Sequence, residues 1–163
     1  PKAIIDKNNN DIEIFDSSIE IITPSGMDFK ITALNSTLNN YNNLIRIYDN
    51  VNIYLTENIN SYIKTNSLDW DLNTSNINLD SPLLINFLNT TIIASDGFYD
   101  IESGKLKLNN NIFNRNVINK ERDPIYQIKI VADNVNWFKK NNLFEFTSNE
   151  KQVETTIKFL GIK

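Results

Sequence analysis

A spacing of apolar residues recurs four times in this chain, and few folds accommodate it. Take Ile31, Ile63, Ile92 and Ile130 as anchors, which lie 32, 29 and 38 residues apart. Two residues on stand Ala33, Thr65, Ala94 and Ala132. Seven on stand Leu38, Trp70, Tyr99 and Trp137, and fourteen on stand Ile45, Ile77, Leu106 and Phe144. Sixteen on stand Ile47, Leu79, Leu108 and Phe146. Twenty on stand Val51, Leu83 and Ile112, and there the fourth copy departs with Glu150. Periods of this length mark stacked supersecondary units.

The stretch Ile92–Phe113 is the clearest copy. Ile92 and Ala94 stand two residues apart, and Leu106 and Leu108 alternate with Lys105 and Lys107. That is the period of a half-buried strand. Asp100–Gly104 supplies the turn between them, with Gly104 free to take a positive φ. Each unit therefore reads as two strands joined by a polar turn, at Asn39–Asn43, Asp71–Asn76, Asp100–Gly104 and Lys139–Asn142. Ahead of the repeat, Ile12, Ile14, Ile19 and Ile21 predict one or two short strands, and residues 1–11 a short apolar patch and a loop. Residues 19–33 predict a hairpin turning at Thr23–Gly26. Leu83–Leu88 follows Pro82 and is broken by Asn86, which favours a buried strand over a helix. Residues 118–129 carry most of the extra length before the fourth copy, with a turn at Asp123-Pro124. The fold expected is all-β, one domain over residues 1–163, with about nine to twelve antiparallel strands.

Composition removes several function classes. No Cys and no His are present, so thiol, Ser-His-Asp and His-ligated metal chemistry are excluded. The net charge is −4, with no basic cluster beyond pairs such as Lys139-Lys140, which argues against a nucleic-acid partner. No apolar run reaches the roughly 18 residues of a membrane span. There are 29 Asn and 25 Ile, a bias that dilutes every Asn-based signal, including the glycosylation patterns at Asn35 and Asn89.

With the repeat laid out, the chain resembles the LptC family of lipopolysaccharide transport, related to OstA/LptA-like repeat proteins. Ser25–Ala33 (SGMDFKITA) is similar to the family's opening, a Gly turn followed by aromatic-x-Ile-x-Ala. Ile93–Asp100 (IASDGFYD) with Gly104–Leu108 (GKLKL) resembles its recurring Ala…Tyr-Asp…Leu-x-Leu unit. Ile130–Asn134 (IVADN) is similar to LptA-like openings. The resemblance implies an open, twisted antiparallel β-jellyroll that binds lipopolysaccharide and is not an enzyme, with no metal or cofactor. Acyl chains would lie along an interior apolar stripe: Leu38, Ile45, Ile47, Trp70, Ile77, Leu79, Tyr99, Leu106 and Leu108. An LptBFG-like inner-membrane ABC transporter would pair with the N-terminal edge (Ile12, Ile14, Ile19, Ile21). An LptA-like bridge protein would pair with the C-terminal edge (Ile157, Phe159). The resemblance also places the domain in the periplasm, tethered to the inner membrane by a helix ahead of Pro1.

Blander readings stand beside these. The stripe also suits an ordinary sandwich core, as in a structural or adhesive β-repeat domain with no lipid ligand. Asp69 and Asp71, or Asp96, Asp100 and Glu102, could serve a glycosidase or a calcium site, but turn and surface acids explain them better. Lys105, Lys107 and Arg46 fit a solvated outer face. Trp70 and Trp137 could stack on sugars, yet their equal repeat positions favour packing. Thr155–Ile162 is an aggregation hazard if its edge is bare, so it pairs within the domain, with a partner chain or with another copy of itself.

Overall fold

A computed structural model describes residues 2–6, 11–22, 28–55, 61–80, 82–119, 123–138, 141–149 and 152–160. Among the described residues thirteen strands form one antiparallel sheet. They are β1 (Lys2–Asp6), β2 (Asp11–Ile22), β3 (Asp28–Asn39), β4 (Leu44–Leu55), β5 (Tyr62–Asp71), β6 (Asn76–Leu79) and β7 (Leu83–Phe87). β8 (Thr90–Ala94), β9 (Asp96–Asp100), β10 (Lys105–Ile118), β11 (Pro124–Phe138), β12 (Leu143–Thr147) and β13 (Glu154–Phe159) follow. The predicted Thr23–Gly26 turn and Lys139-Lys140 lie outside the described residues.

The sheet folds over on itself. β2, β3, β4, β5, β10 and β11 each contribute one half to a first layer and the other half to a second. Layer one runs β1, then residues 11–15, 35–39, 44–48 and 67–71, β6, β9, residues 105–109 and 134–138, and β12. Layer two runs residues 17–22, 28–33, 51–55 and 62–65, β7, β8, residues 111–118 and 124–131, and β13. This is the open β-jellyroll that the family resemblance implies.

Each long strand must bend where it passes between layers, and the bends fall on residues that tolerate it. Pairing lapses at Asp16 and Leu34, at Asp49, Asn50 and Asn66, and at Asn110 and Asp133. Asp16, Asp49, Asn50 and Asn110 all have φ between 49° and 64°. Short Asp and Asn side chains enter this left-handed region at lower cost than other non-Gly residues because they bond locally. The small second repeat position sits at the same corner, with Ala33, Thr65, Ala94 and Ala132 all buried. A polar seam closes the bend. The amide of Asn35 donates to the Asp49 carboxylate (2.8 Å), the Ser95 backbone N–H donates to the Asn109 carbonyl (2.9 Å), and Asn110 Nδ2 donates to Ser95 Oγ (3.2 Å). Asn111, 1% exposed, donates to the Leu108 carbonyl at 3.0 Å.

The bends also explain where the apolar count slips. One left-handed residue shifts the alternation by one place. After Asn110 it is Asn111 that turns inward, so Ile112, expected in line with Val51 and Leu83, faces out at 37% exposure. The first strand of Ile92–Phe113 is likewise two strands, β8 and β9, parted by the bend at Ser95. That split, with β1 in the stretch expected to be patch and loop, raises the strand number above the range expected. Ile12, Ile14, Ile19 and Ile21 share one strand, broken in phase at Asp16.

The turns at the rim of layer one stack. Three begin on an Asx side chain that caps the turn backbone. Asn42 N–H donates to Asn39 Oδ1 (2.8 Å), Asn73 N–H to Asp71 Oδ1 (2.8 Å) and Glu102 N–H to Asp100 Oδ1 (3.0 Å). All four end on a left-handed residue: Asn43, Ser75, Gly104 and Asn142. The carbonyl of one such residue accepts from the next turn: Leu72 N–H to Asn43 O (2.9 Å) and Ile101 N–H to Ser75 O (3.3 Å).

The corner is testable at Asn110. Asn110→Gly is expected to leave thermal stability near wild type. Asn110→Val forces a β-branched residue into the left-handed region and is expected to lower stability by about 1–2 kcal/mol. Equal melting temperatures for the two variants would count against a strained corner.

Candidate functional site

The space between the layers is lined by rows of residues in cross-strand register. One row of layer one reads Ile12, Leu38, Ile45, Trp70, Ile77, Tyr99, Leu106, Trp137 and Phe144, each opposite the next. Repeat positions seven and fourteen alternate along it. The row beside it reads Ile14, Ser36, Ile47, Leu68, Leu79, Gly97, Leu108, Val135 and Phe146. Layer two faces them with Ile19, Ile31, Ile53, Ile63, Ile85, Ile92, Phe113, Ile130 and Thr155, which contains all four anchors.

The rows meet. Phe29 of layer two contacts Tyr99 of layer one edge-to-face, centroids 5.2 Å apart. Towards the C-terminal end, Phe87, Phe113, Trp137, Phe144 and Phe146 form an aromatic cluster, with Phe87 and Trp137 at 4.8 Å and Trp137 stacked on Phe144 at 5.5 Å. The pocket lined by Phe29, Ile31, Ile53, Ile63, Ile77, Leu79, Tyr99, Leu106 and Trp137 leaves a free volume of ≈ 20 Å³, about what one water requires. The layers are thus in contact and the slot is filled by side chains. Two buried indole nitrogens, Trp70 Nε1 and Trp137 Nε1, have no acceptor among the described residues.

Of the nine stripe residues, Ile47, Ile77, Leu79, Tyr99, Leu106 and Leu108 are buried, while Leu38, Ile45 and Trp70 are half-buried. All nine fall in the two rows of layer one. The stripe leaves out layer two and the fourth copy, although Ile31, Ile63, Ile92 and Ile130 were visible as anchors. At the edges, Ile12 and Ile14 are not outermost, because β1 pairs along residues 11–15. They point inward with the rows, and the outer strand of layer one at that end is β1. Ile19 and Ile21 lie on the outermost segment of layer two, residues 17–22, among the described residues. Ile157 and Phe159 lie on β13, which pairs with β11 and forms the far edge of layer two.

The Asp69, Asp71, Asp96 and Asp100 carboxylates are each engaged by near neighbours. Asp69 takes both Arg46 Nε and a terminal guanidinium nitrogen at 2.8 Å across the outer face. Asp96 accepts from Ser95 Oγ at 2.8 Å and from Asn109. The Asn73 backbone N–H, then the Thr74 hydroxyl, holds the Asp71 carboxyl below its ordinary pKa. The Ser103 hydroxyl, 2.6 Å away, does the same for Asp100. Lys105 and Lys107 face outward, over the Phe138 and Phe98 rings at 4.8 and 5.8 Å. Among the described residues no group of three or more His, Cys, Asp or Glu side chains could hold a metal ion, and no helix is long and apolar enough to cross a membrane.

Two predictions test this geometry. A Cβ at Gly97 would meet Leu83 Cδ1 at 2.9 Å, Leu108 Cδ2 at 3.0 Å and the Lys107 carbonyl at 3.1 Å. Gly97→Val is therefore expected to cost about 1–3 kcal/mol by overpacking, read as a lowered melting temperature; an unchanged value means the layers are not in contact there. The second concerns acid. A depressed folded-state pKa stabilises above the ordinary carboxyl range and is lost as pH falls through the folded value. Ser103→Ala should raise the Asp100 pKa, so that the stabilisation is smaller and its loss is complete at a higher pH. Carboxyl NMR titration reads it directly, and an unmoved Asp100 would refute the assigned cause.

Comparison with known proteins follows the same lines as the geometry. No curated protein matches the chain. The family model LptC, described as lipopolysaccharide-assembly, LptC-related, matches residues 1–116. The match takes in β1 through most of β10, and β11–β13 lie beyond it. As it spans well over half of the 163 residues, the chain belongs to the LptC-related family of lipopolysaccharide-assembly proteins, and its role is in lipopolysaccharide transport.

Proposed function

We propose that this domain takes lipopolysaccharide acyl chains between its two layers and relays them, without catalysis, from an inner-membrane ABC transporter to an LptA-like bridge protein. The supporting observation is the edge-to-edge continuity of the inner rows. An acyl chain needs an unbroken apolar lining along its length, and the first row is apolar at every one of its nine positions. The transporter would pair at the N-terminal side, on β1 and residues 17–22, and the bridge protein at the C-terminal side, on β12 and β13. Edge pairing uses main-chain hydrogen bonds and needs no side-chain chemistry. A second copy of the chain would compete for the same edges. This reading places the domain in the periplasm at the inner membrane.

The filled interior is the one observation that favours a purely structural β-repeat domain. Family membership weighs against that reading, and the two layers are joined by bends rather than by covalent cross-links, with no Cys in the chain. Acyl chains would enter by parting the layers. Leu38 and Ile45, half-buried near the N-terminal end of the row, would be the first met.

A photo-crosslinking side chain at Leu38, Ile45, Tyr99 or Leu106 is expected to capture lipopolysaccharide only while the transporter hydrolyses ATP. Outward positions such as Lys107 should capture none. Absence of inner-row adducts under active transport, with the variants folded, sinks the proposal.

A further inference from the structure

One inner-face position breaks the apolar pattern. From buried Phe113, the alternation of β10 carries Arg115 and Val117 onto the same face. Arg115 stands opposite Thr90 of β8 on one side and Ile128 of β11 on the other, and Ile157 of β13 follows. Among the described residues it is the one inner-face strand side chain charged at neutral pH. It is exposed, and no ion pair or hydrogen bond engages its side chain among the described residues.

Among the described residues its surroundings towards β11 and β13 are apolar and uncovered. β10 gives residues 111–118 to layer two but only 105–109 to layer one, so layer two overhangs here. Val117, Tyr126 and Ile128 are half-buried, Ile157 is 53% and Phe159 66% exposed, and the Tyr126 and Phe159 rings lie 6.0 Å apart. Along β11 this shelf runs through Tyr126 and Ile128 to Ile130, which stands opposite Phe113 of the interior.

A guanidinium with free donors beside such a shelf meets two chemistries at once. Its planar fork matches a phosphate oxygen pair, and the shelf matches hydrocarbon. Hydrocarbon alone would desolvate Arg115 with no partner, which is costly. A free anion would gain nothing from the shelf. General attraction to anionic surfaces is not the source, because the chain carries −4. We propose that the shelf docks a phosphorylated lipid, its phosphate on Arg115 and the adjoining acyl segments on Val117, Tyr126, Ile128, Ile157 and Phe159. This inference rests on the lipid-relay reading and names the headgroup chemistry recognised at the C-terminal mouth.

The test compares binding of short-chain phosphatidic acid, the diacylglycerol of the same chains, and inorganic phosphate. Wild type is expected to prefer phosphatidic acid over diacylglycerol by about tenfold or more, as a charge-assisted hydrogen bond allows, and to bind free phosphate far more weakly. Arg115→Gln should abolish that preference while retaining diacylglycerol binding, and Arg115→Lys should keep part of it; melting curves confirm folding. The inference is overturned if the preference survives Arg115→Gln or if free phosphate binds as tightly as phosphatidic acid. It is also overturned if Arg115→Gln changes only the oligomeric state, the signature of a charge that merely guards a sheet edge. Equal wild-type binding of both lipids overturns this inference alone, whereas binding of neither overturns the relay reading with it.

Discussion

A strand that serves two layers must change direction without surrendering its neighbours, and this domain depends on how that is done. Six strands make the passage, and they make it side by side, so that the bends line up into a single corner. Left-handed Asp and Asn residues turn the backbone, and small buried residues let the layers approach. The Ser, Thr, Asn and Asp groups at the bend satisfy one another and the carbonyls that the ladder leaves free. Without the corner the inner rows would face water on a flat sheet. With it they face each other.

The corner and the rim divide the labour. At the rim, stacked turns pass hydrogen bonds from the left-handed residue of one unit to the backbone of the next. At the corner, side chains do the linking. Between these two polar lines lies the apolar interior, in which an anchor, a large residue and a partner recur at fixed spacing. The register of every hairpin is therefore constrained from both ends. A slip by one residue would turn an entire row outward and also misalign the turn.

Much of this was readable in the amino-acid order. The spacing of Leu38, Trp70, Tyr99 and Trp137 carried the inner row directly, because side chains alternate regularly wherever a strand is straight. The Asx turn at Asp100 was equally plain. The exceptions have one physical origin. Alternation counts residues, and a left-handed residue consumes one without advancing the face, so Ile112 counted as inward while Asn111 took the place. The chain's abundance of Asn hid the corner: Asn110 and Asn50 look like their many neighbours, and only the lapse in pairing distinguishes them. Pairing at the ends was not legible either. Lys2–Asp6 has too little pattern to predict as a strand, yet it covers half of β2. Arg115 was visible as inward-facing only once Phe113 had been placed inward.

The filled interior has an energetic meaning for anything that would occupy it. If the layers parted in water, both faces would be wetted at roughly 25 cal/mol per Å² of apolar surface, so an empty, open slot is not a state this protein can hold. Under the proposed relay, opening and occupation would be a single event, in which each face exchanges contact with the other face for contact with a guest. Such an exchange leaves the apolar surface in contact with water nearly unchanged, and its net free energy is small in either direction. An acyl chain taken up as proposed would be gripped without being retained, and the layers would reseal behind it as it left.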